Sequence, residues 1–194
     1  MNNMIFIITA FQVAVLLVGA LLTLLIPRIH FWPPPSKQSW QFYVSNTAFF
    51  GAFLGLIFLI IINFNSGTFY TNKPLFYVGI ALFILGCHIS LWGANYFGSK
   101  QASGLKGTLK TDGLYQYVRN PQYVGDILLL SGLGCAYPDL LFLVLIALAI
   151  SFFILAPFLE EPWLKRQYGK PYTDYLRQVP RFIPRFNKVK SSEH

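Results

Sequence analysis

Residues 4–26 read MIFIITAFQVAVLLVGALLTLLI, an apolar run that contains no Lys, Arg, Asp or Glu. As a helix, its 23 residues are long enough to cross the roughly 30 Å hydrocarbon core of a bilayer. A signal peptide is a poorer interpretation, because the run is too long for the apolar part of such a peptide and no basic residue precedes it. The stretch therefore predicts a first transmembrane helix.

Four more apolar windows follow along the chain. The whole sequence is 55% hydrophobic and 11% charged, whereas a soluble domain has about 25% charged residues. Only residues 137–139 separate the last two windows, which predicts a tight helical hairpin. We therefore expect an all-α integral membrane protein with five transmembrane helices and a cytoplasmic C-terminal helical segment. The four further windows are 38–72 with its apolar centre near 42–62, 74–97, 121–137 and 140–159.

The basic residues predict the orientation of these spans. Of the 15 Lys and Arg, 14 lie in loops 27–40 and 98–120 or after residue 159, and only Lys73 lies on the opposite side. The positive-inside rule then places the N-terminus outside and the C-terminus in the cytoplasm. The net charge of +8 indicates anionic lipid headgroups at the cytoplasmic face rather than nucleic acid. Cys87 and Cys135 form no CxxC pair, so no metal site is expected.

Two polar segments flank the last two windows and carry a recognisable pattern. It consists of GLYQYVRNPQYVG at 113–125, EEP at 160–162 and YGKPYTDYLRQVP at 168–180. In order and spacing these blocks resemble the isoprenylcysteine carboxyl methyltransferase family and its prokaryotic membrane relatives. The resemblance covers roughly residues 100–184, and the first two spans carry no comparable signal.

The resemblance implies one membrane domain, 1–194, made of a two-span N-terminal region, 1–73, and a methyltransferase-like core, 74–194. It implies S-adenosylmethionine as methyl donor, S-adenosylhomocysteine as product, and a lipophilic acceptor that enters from the bilayer, such as the carboxylate of a prenylated cysteine. By position, the cofactor contacts would be Lys100, Gln101, Gly107, Thr108, Leu109, Lys110, Tyr115, Asn120, Pro121, Gln122, Tyr123 and Glu160.

The resemblance also implies that Arg119 and Glu161 lie near the acceptor and the reacting centre. A planar guanidinium binds a carboxylate through two hydrogen bonds, so we predict that Arg119 orients the acceptor and that Glu161 holds Arg119. The alternatives are an arginine anchored at the interface and a Glu pair at a solvated helix end. The sequence departs from the family pattern at Asn120, where His is usual, and at Ala156, where eukaryotic members have Arg.

Two other functions compete with methyl transfer. RNPQYVGD at 119–126 also resembles a block in membrane sterol and steroid reductases, which use a nicotinamide cofactor. A non-enzymatic membrane scaffold is the third interpretation, and in it Tyr115 and Tyr123 would belong to an interfacial aromatic belt. Chain length and the Glu pair favour the methyltransferase. Asp126 is a further candidate, because an acid within a transmembrane segment is frequently functional.

Overall fold

The computed structural model of the protein describes residues 3–26, 28–64, 72–98, 103 and 105–185. Within these ranges all of the regular secondary structure is helical. It comprises six α-helices and one short 3-10 helix: α1 (Asn3–Leu25), α2 (Trp40–Asn63), α3 (Lys73–Phe97), the 3-10 helix η1 (Gly113–Gln116), α4 (Pro121–Ala136), α5 (Leu140–Tyr168) and α6 (Lys170–Gln178).

Polar side chains cap the beginnings of three of the long helices. The side chains of Ser39, Asn72 and Asp139 accept hydrogen bonds from backbone N–H groups three residues further on, at the first turns of α2, α3 and α5. Such caps satisfy N–H groups that have no partner within the helix. The predicted windows and the observed helices therefore begin within a few residues of each other.

Four of these helices, α1, α2, α3 and α5, are long and apolar enough to cross a membrane. Together with the family match described below, they make this a multi-pass membrane protein. Helix α4 has 16 residues, which corresponds to a length of about 24 Å. That length is shorter than the hydrocarbon core of a typical bilayer. The predicted count of five spans therefore depends on α4 alone.

Helix α5 lies at the centre of the packing. It contacts α1, α4 and α6, while α2 packs on α1 and α3 packs on α4. Large side chains such as Leu16, Leu59, Phe142 and Leu145 are buried in one common core. Many other large apolar side chains of α1, α2 and α3 are exposed, as expected for helix faces that meet lipid.

Glycines allow α3 and α4 to approach at backbone distance. A Cβ atom added to Gly125 would lie 2.4 Å from the backbone nitrogen of Ser90, and one added to Gly86 would lie 2.3 Å from that of Leu129. Gly79 and Gly132 form a second such contact, one heptad away on each helix. Small residues of this kind are typical of tight helix packing in membranes. They determine the register of α3 against α4.

The structure corrects the expected end of the last apolar helix. We expected it to stop near residue 159, leaving Glu160 and Glu161 at its C-terminal end. Instead α5 continues through both Pro157 and Pro162 to Tyr168. The next residue, Gly169, caps the helix with a φ of 62°, a conformation that favours glycine. The Glu pair therefore lies inside the helix, and the unfavourable helix-end dipole does not act on it.

Candidate active site

Two tyrosines tie the loop between α3 and α4 to the C-terminal helices. The Tyr168 hydroxyl donates to the backbone carbonyl oxygen of Gly107 at 2.7 Å. The Tyr175 hydroxyl donates to the backbone carbonyl oxygen of Tyr115, also at 2.7 Å. Burial raises the pKa of Tyr175, so its phenol keeps its proton and donates at physiological pH. These two hydrogen bonds hold the loop against α5 and α6.

The segment after α6 pairs with the residues that precede α4. The backbone N–H of Arg119 donates to the Pro180 carbonyl oxygen at 2.9 Å. The Asn120 side-chain Nδ2 donates to the Arg181 carbonyl oxygen at 3.1 Å. Asn120, which stands where the resembled family usually has His, thus helps to hold the C-terminal segment in place.

Glu161 lies between two arginines. Its Oε1 is 3.1 Å from Nη1 of Arg119, and Arg181 binds the same carboxylate through Nε and Nη2 at 2.8 and 2.9 Å. These hydrogen bonds raise the pKa of Arg181. Two guanidinium groups around one carboxylate leave the cluster with one net positive charge. The structure thus brings Arg119 and Glu161 together, while their catalytic roles stay predictions.

Arg119 has one buried N–H group that lacks an acceptor among the described residues. Its side chain is 11% exposed, and no described residue accepts a hydrogen bond from its buried Nε. A buried donor without an acceptor is energetically unfavourable. An oxygen atom of a bound molecule would satisfy it.

Glu160 forms a separate cluster with residues from distant parts of the chain. Its Oε1 accepts a hydrogen bond from Nε1 of Trp32 at 2.7 Å and another from the Tyr123 hydroxyl. Trp32 belongs to the connection between α1 and α2. The N-terminal region therefore contributes to the site, which sequence reasoning missed because a lone Trp in a loop carries no motif.

Several of these groups line a pocket at one end of the helices. We call it the polar pocket, because its wall includes the charged residues Lys110, Arg119 and Glu160. Its walls come from the α3–α4 loop, the start of α4, the end of α5, and α6. Of the predicted residues, Gly107 and Pro121 do not line this pocket. Glu161 does not line it either, but it contacts Arg119, which does. Lys100 and Gln101 fall outside the described residues. The predicted residues that line the polar pocket are Thr108, Leu109, Lys110, Tyr115, Arg119, Asn120, Gln122, Tyr123 and Glu160, and those not predicted are Pro33, Leu105, Trp163, Leu164, Tyr168, Tyr172 and Tyr175.

A second cavity of about 460 Å³ adjoins the polar pocket. We call it the apolar cavity, because most of the side chains around it are hydrophobic. Its walls are α2, with Phe49 and Phe53, α3, with Leu91, and α4. Gln122 and Tyr123 line both spaces, so these two residues form their shared wall.

The composition of the site bears on the chemistry it can support. No group of three or more His, Cys, Asp or Glu side chains that could hold a metal ion occurs among the described residues. The polar pocket instead offers a carboxylate, a guanidinium and several neutral phenols. Groups of this kind can hold a polar organic molecule through hydrogen bonds and charge.

Comparison with known proteins identifies several curated relatives, three of which are described in turn. The chain is 35% identical over 105 residues to a methanethiol S-methyltransferase of Crocosphaera subtropica, covering 52% of this chain and 40% of that protein. It is 32% identical over 102 residues to the nickel-cobalt-cadmium resistance protein NccN of Alcaligenes xylosoxydans xylosoxydans, covering 52% and 46%. It is 35% identical over 77 residues to a protein-S-isoprenylcysteine O-methyltransferase of Schizosaccharomyces pombe, covering 39% and 33%.

The similarity is confined to part of each protein. The matched segments span less than half the length of each of these relatives. No solved structure is significantly similar to this chain.

The family assignment comes from the half of the chain that supplies most of the polar pocket. Residues 75–171 match the phospholipid methyltransferase family. This range is half of the chain and includes nearly all of α3 and the whole of η1, α4 and α5. It holds Lys110, Arg119 and Glu160, the charged residues that line the polar pocket, and Glu161, which contacts Arg119. The chain therefore belongs to the phospholipid methyltransferase family, whose members include proteins similar to isoprenylcysteine methyltransferases.

Proposed function

We propose that this protein transfers a methyl group from S-adenosylmethionine to a lipophilic acceptor. The observation that carries the proposal is the wall of Gln122 and Tyr123, which separates a polar pocket from an apolar cavity. A polar donor and an apolar acceptor that occupied these two spaces would meet at this wall. Neither a nicotinamide reductase nor a scaffold is favoured by the relatives.

The polar pocket has groups that suit the donor. Glu160 offers a carboxylate for ribose hydroxyls or an ammonium group, and Tyr115, Tyr123 and Trp163 offer aromatic surface for an adenine ring. Trp32 fixes the direction of the Glu160 carboxylate through its hydrogen bond. S-Adenosylmethionine, when bound, supplies an electrophilic methyl group on a sulfonium. The residues then need only to align the reactants and exclude water.

Arg119 is assigned to the acceptor. Its net positive cluster with Glu161 and Arg181 suits a negatively charged oxygen, and its unpartnered Nε supplies a hydrogen bond. A carboxylate such as that of a prenylated cysteine is already ionised near neutral pH, so it needs no general base. Glu161 holds the guanidinium in place while Arg119 directs the oxygen toward the methyl group.

The acceptor reaches the site from the lipid. Phe50 of α2 and Leu91 of α3 both line the apolar cavity and are 59% and 63% exposed. Because both side chains also reach the surface of the helices, we expect the cavity to open between α2 and α3 onto the hydrocarbon of the bilayer. An apolar acceptor that moves sideways avoids re-entering water, which costs ~0.8 kcal/mol for each buried CH₂ group.

The proposal includes a topology. We assign α4 as the fourth of five spans, a short helix that returns through residues 137–139 into α5 as a tight hairpin. The polar pocket then lies at the cytoplasmic face, next to most of the basic residues, with the N-terminus outside. S-Adenosylhomocysteine bound beside Lys73, at the opposite face, would contradict this topology.

Binding of S-adenosylhomocysteine is the first test of the proposal. We expect the purified protein to bind it in isothermal titration and to show no measurable binding of NADPH. Glu160→Gln replaces a carboxyl oxygen with an amide NH₂ that cannot accept a hydrogen bond, and it should weaken S-adenosylhomocysteine binding severalfold, since a hydrogen bond contributes ~0.5–1.5 kcal/mol. Binding of NADPH in preference to S-adenosylhomocysteine would refute methyl transfer, and binding of neither would support a scaffold.

Trp32→Phe tests the contribution of the N-terminal region. Phenylalanine keeps an apolar ring but loses the N–H that donates to Glu160 at 2.7 Å. The affinity for S-adenosylhomocysteine should fall severalfold, since one hydrogen bond contributes ~0.5–1.5 kcal/mol. Trp40→Phe is the control, because Trp40 is exposed and lies outside both cavities. Equal affinities of the two variants would show that Trp32 does not shape the donor site.

A further inference from the structure

Asp126 is an acid in the wall of the apolar cavity. It lies one turn along α4 from Gln122, and only 6% of its surface is exposed. Its Oδ1 accepts a hydrogen bond from the Ser90 hydroxyl at 2.6 Å. The close approach of α3 and α4 at Gly86 and Gly125 brings these two side chains together.

The second oxygen of Asp126 lacks a donor. Its Oδ2 is buried, and among the described residues none donates a hydrogen bond to it. A buried acceptor without a donor is costly. Asp126 already lines the apolar cavity, so a donor carried by a molecule in the cavity would satisfy this oxygen.

The other side chains around the apolar cavity indicate the chemistry of the rest of the ligand. Phe49, Phe53, Leu129 and Phe152 line it, and these side chains favour a hydrocarbon body. We therefore infer that the apolar cavity binds a lipophilic molecule bearing one hydrogen-bond donor, an O–H or N–H group, which donates to Asp126 while Ser90 holds the carboxylate in place.

This inference deepens the assignment of the acceptor site. That the ligand is the methyl acceptor rests on the proposed function, whereas its binding to the cavity does not. Arg119 and Asp126 then recognise different features, because Arg119 lines only the polar pocket and Asp126 lines only the apolar cavity. An acceptor would be selected for a negative oxygen at one position and a donor group deeper in the bilayer.

The test is a competition experiment without S-adenosylmethionine. Tritiated farnesol is bound to the purified full-length protein in detergent and displaced by unlabelled farnesol or by farnesyl methyl ether, which lacks the O–H donor. The wild-type protein should prefer the alcohol severalfold, as expected for one hydrogen bond to a buried acceptor. Equal displacement by the alcohol and the ether would overturn the inference.

Variants assign the preference to Asp126. Asp126→Leu should abolish it by weakening the alcohol alone, because the partitioning of both compounds into detergent is unchanged. Asp174→Leu is the matched control, since it makes the same substitution at an acid of α6 that lines neither cavity, and it should leave the preference intact. A preference that persists in Asp126→Leu refutes the role of Asp126.

A milder variant protects the test against misfolding. If Asp126→Leu does not elute as a single folded species, Asp126→Asn keeps the shape. With its Oδ1 accepting from Ser90, as Oδ1 of Asp126 does, an NH₂ group takes the place of Oδ2 and cannot accept from the alcohol. The preference should then fall severalfold, and an undiminished preference again refutes the inference. A preference for the alcohol without binding of S-adenosylhomocysteine would uphold this site and refute the proposed function. Binding of S-adenosylhomocysteine without a preference for the alcohol would refute this site and leave the proposed function supported.

Discussion

Arg119→Lys is expected to reduce methyl-transfer turnover by about 10²–10³-fold and to change the affinity for S-adenosylhomocysteine much less. Lysine keeps the positive charge but loses the planar fork. It therefore cannot contact Glu161 and an acceptor oxygen in the geometry available to Arg119, whose Nη1 is 3.1 Å from Glu161. Turnover and cofactor affinity should be measured on the same folded preparation.

The control makes the same substitution at another arginine. Arg166 is exposed in the last turn of α5 and lines neither cavity, so Arg166→Lys should leave turnover unchanged. Near-normal turnover of Arg119→Lys would show that Arg119 is only an interfacial anchor. Loss of S-adenosylhomocysteine binding with the fold intact would move Arg119 into the donor site.

Gly125→Ala is expected to lower the free energy of unfolding by about 3 kcal/mol, the upper end for overpacking. The new methyl group would lie 2.4 Å from the backbone nitrogen of Ser90 and 2.9 Å from the carbonyl oxygen of Gly86. Backbone atoms cannot rotate away as a side chain can, so α3 and α4 must separate. The measurement is the unfolding transition of the purified protein in detergent.

A glycine on the same helix provides the matched comparison. At Gly134 the nearest atom to an added Cβ is Cδ2 of Leu143 at 3.2 Å, the end of a flexible side chain. Gly134→Ala should therefore be neutral or slightly stabilising, because alanine is the better helix former by ~0.5–1 kcal/mol. Similar stabilities of the two variants would show that the glycine contacts do not determine the packing of α3 on α4.

Gly125→Ala also connects the packing of the helices to the second cavity. Separating α3 from α4 would move Ser90 away from Asp126, whose Oδ1 it contacts at 2.6 Å. The preference for farnesol over its ether should therefore weaken in any Gly125→Ala protein that remains folded. Gly134→Ala should keep the preference, since it leaves this contact unchanged.

Sequence alone was enough to locate the long helices and much of the site. The thickness of the bilayer determines how many apolar residues a span needs, so α1 and α3 begin and end close to the predicted windows 4–26 and 74–97. Polar groups at a bilayer edge are costly unless they are paired. For that reason the unusual cluster around Arg119 and the Glu160 to Glu161 pair was visible as a candidate site before any contact was known.

The partners of these residues were decided only by the tertiary structure. Trp32 binds Glu160 across 128 positions of sequence, and Arg181 binds Glu161 from beyond α6. The glycines at positions 79, 86, 125 and 132 carry a heptad spacing that is readable in the sequence, but only the pairing of α3 with α4 gives it a meaning. Local sequence patterns indicate the length and polarity of each helix. The contacts between distant segments, and the two cavities that these segments enclose, arise only when the helices pack together.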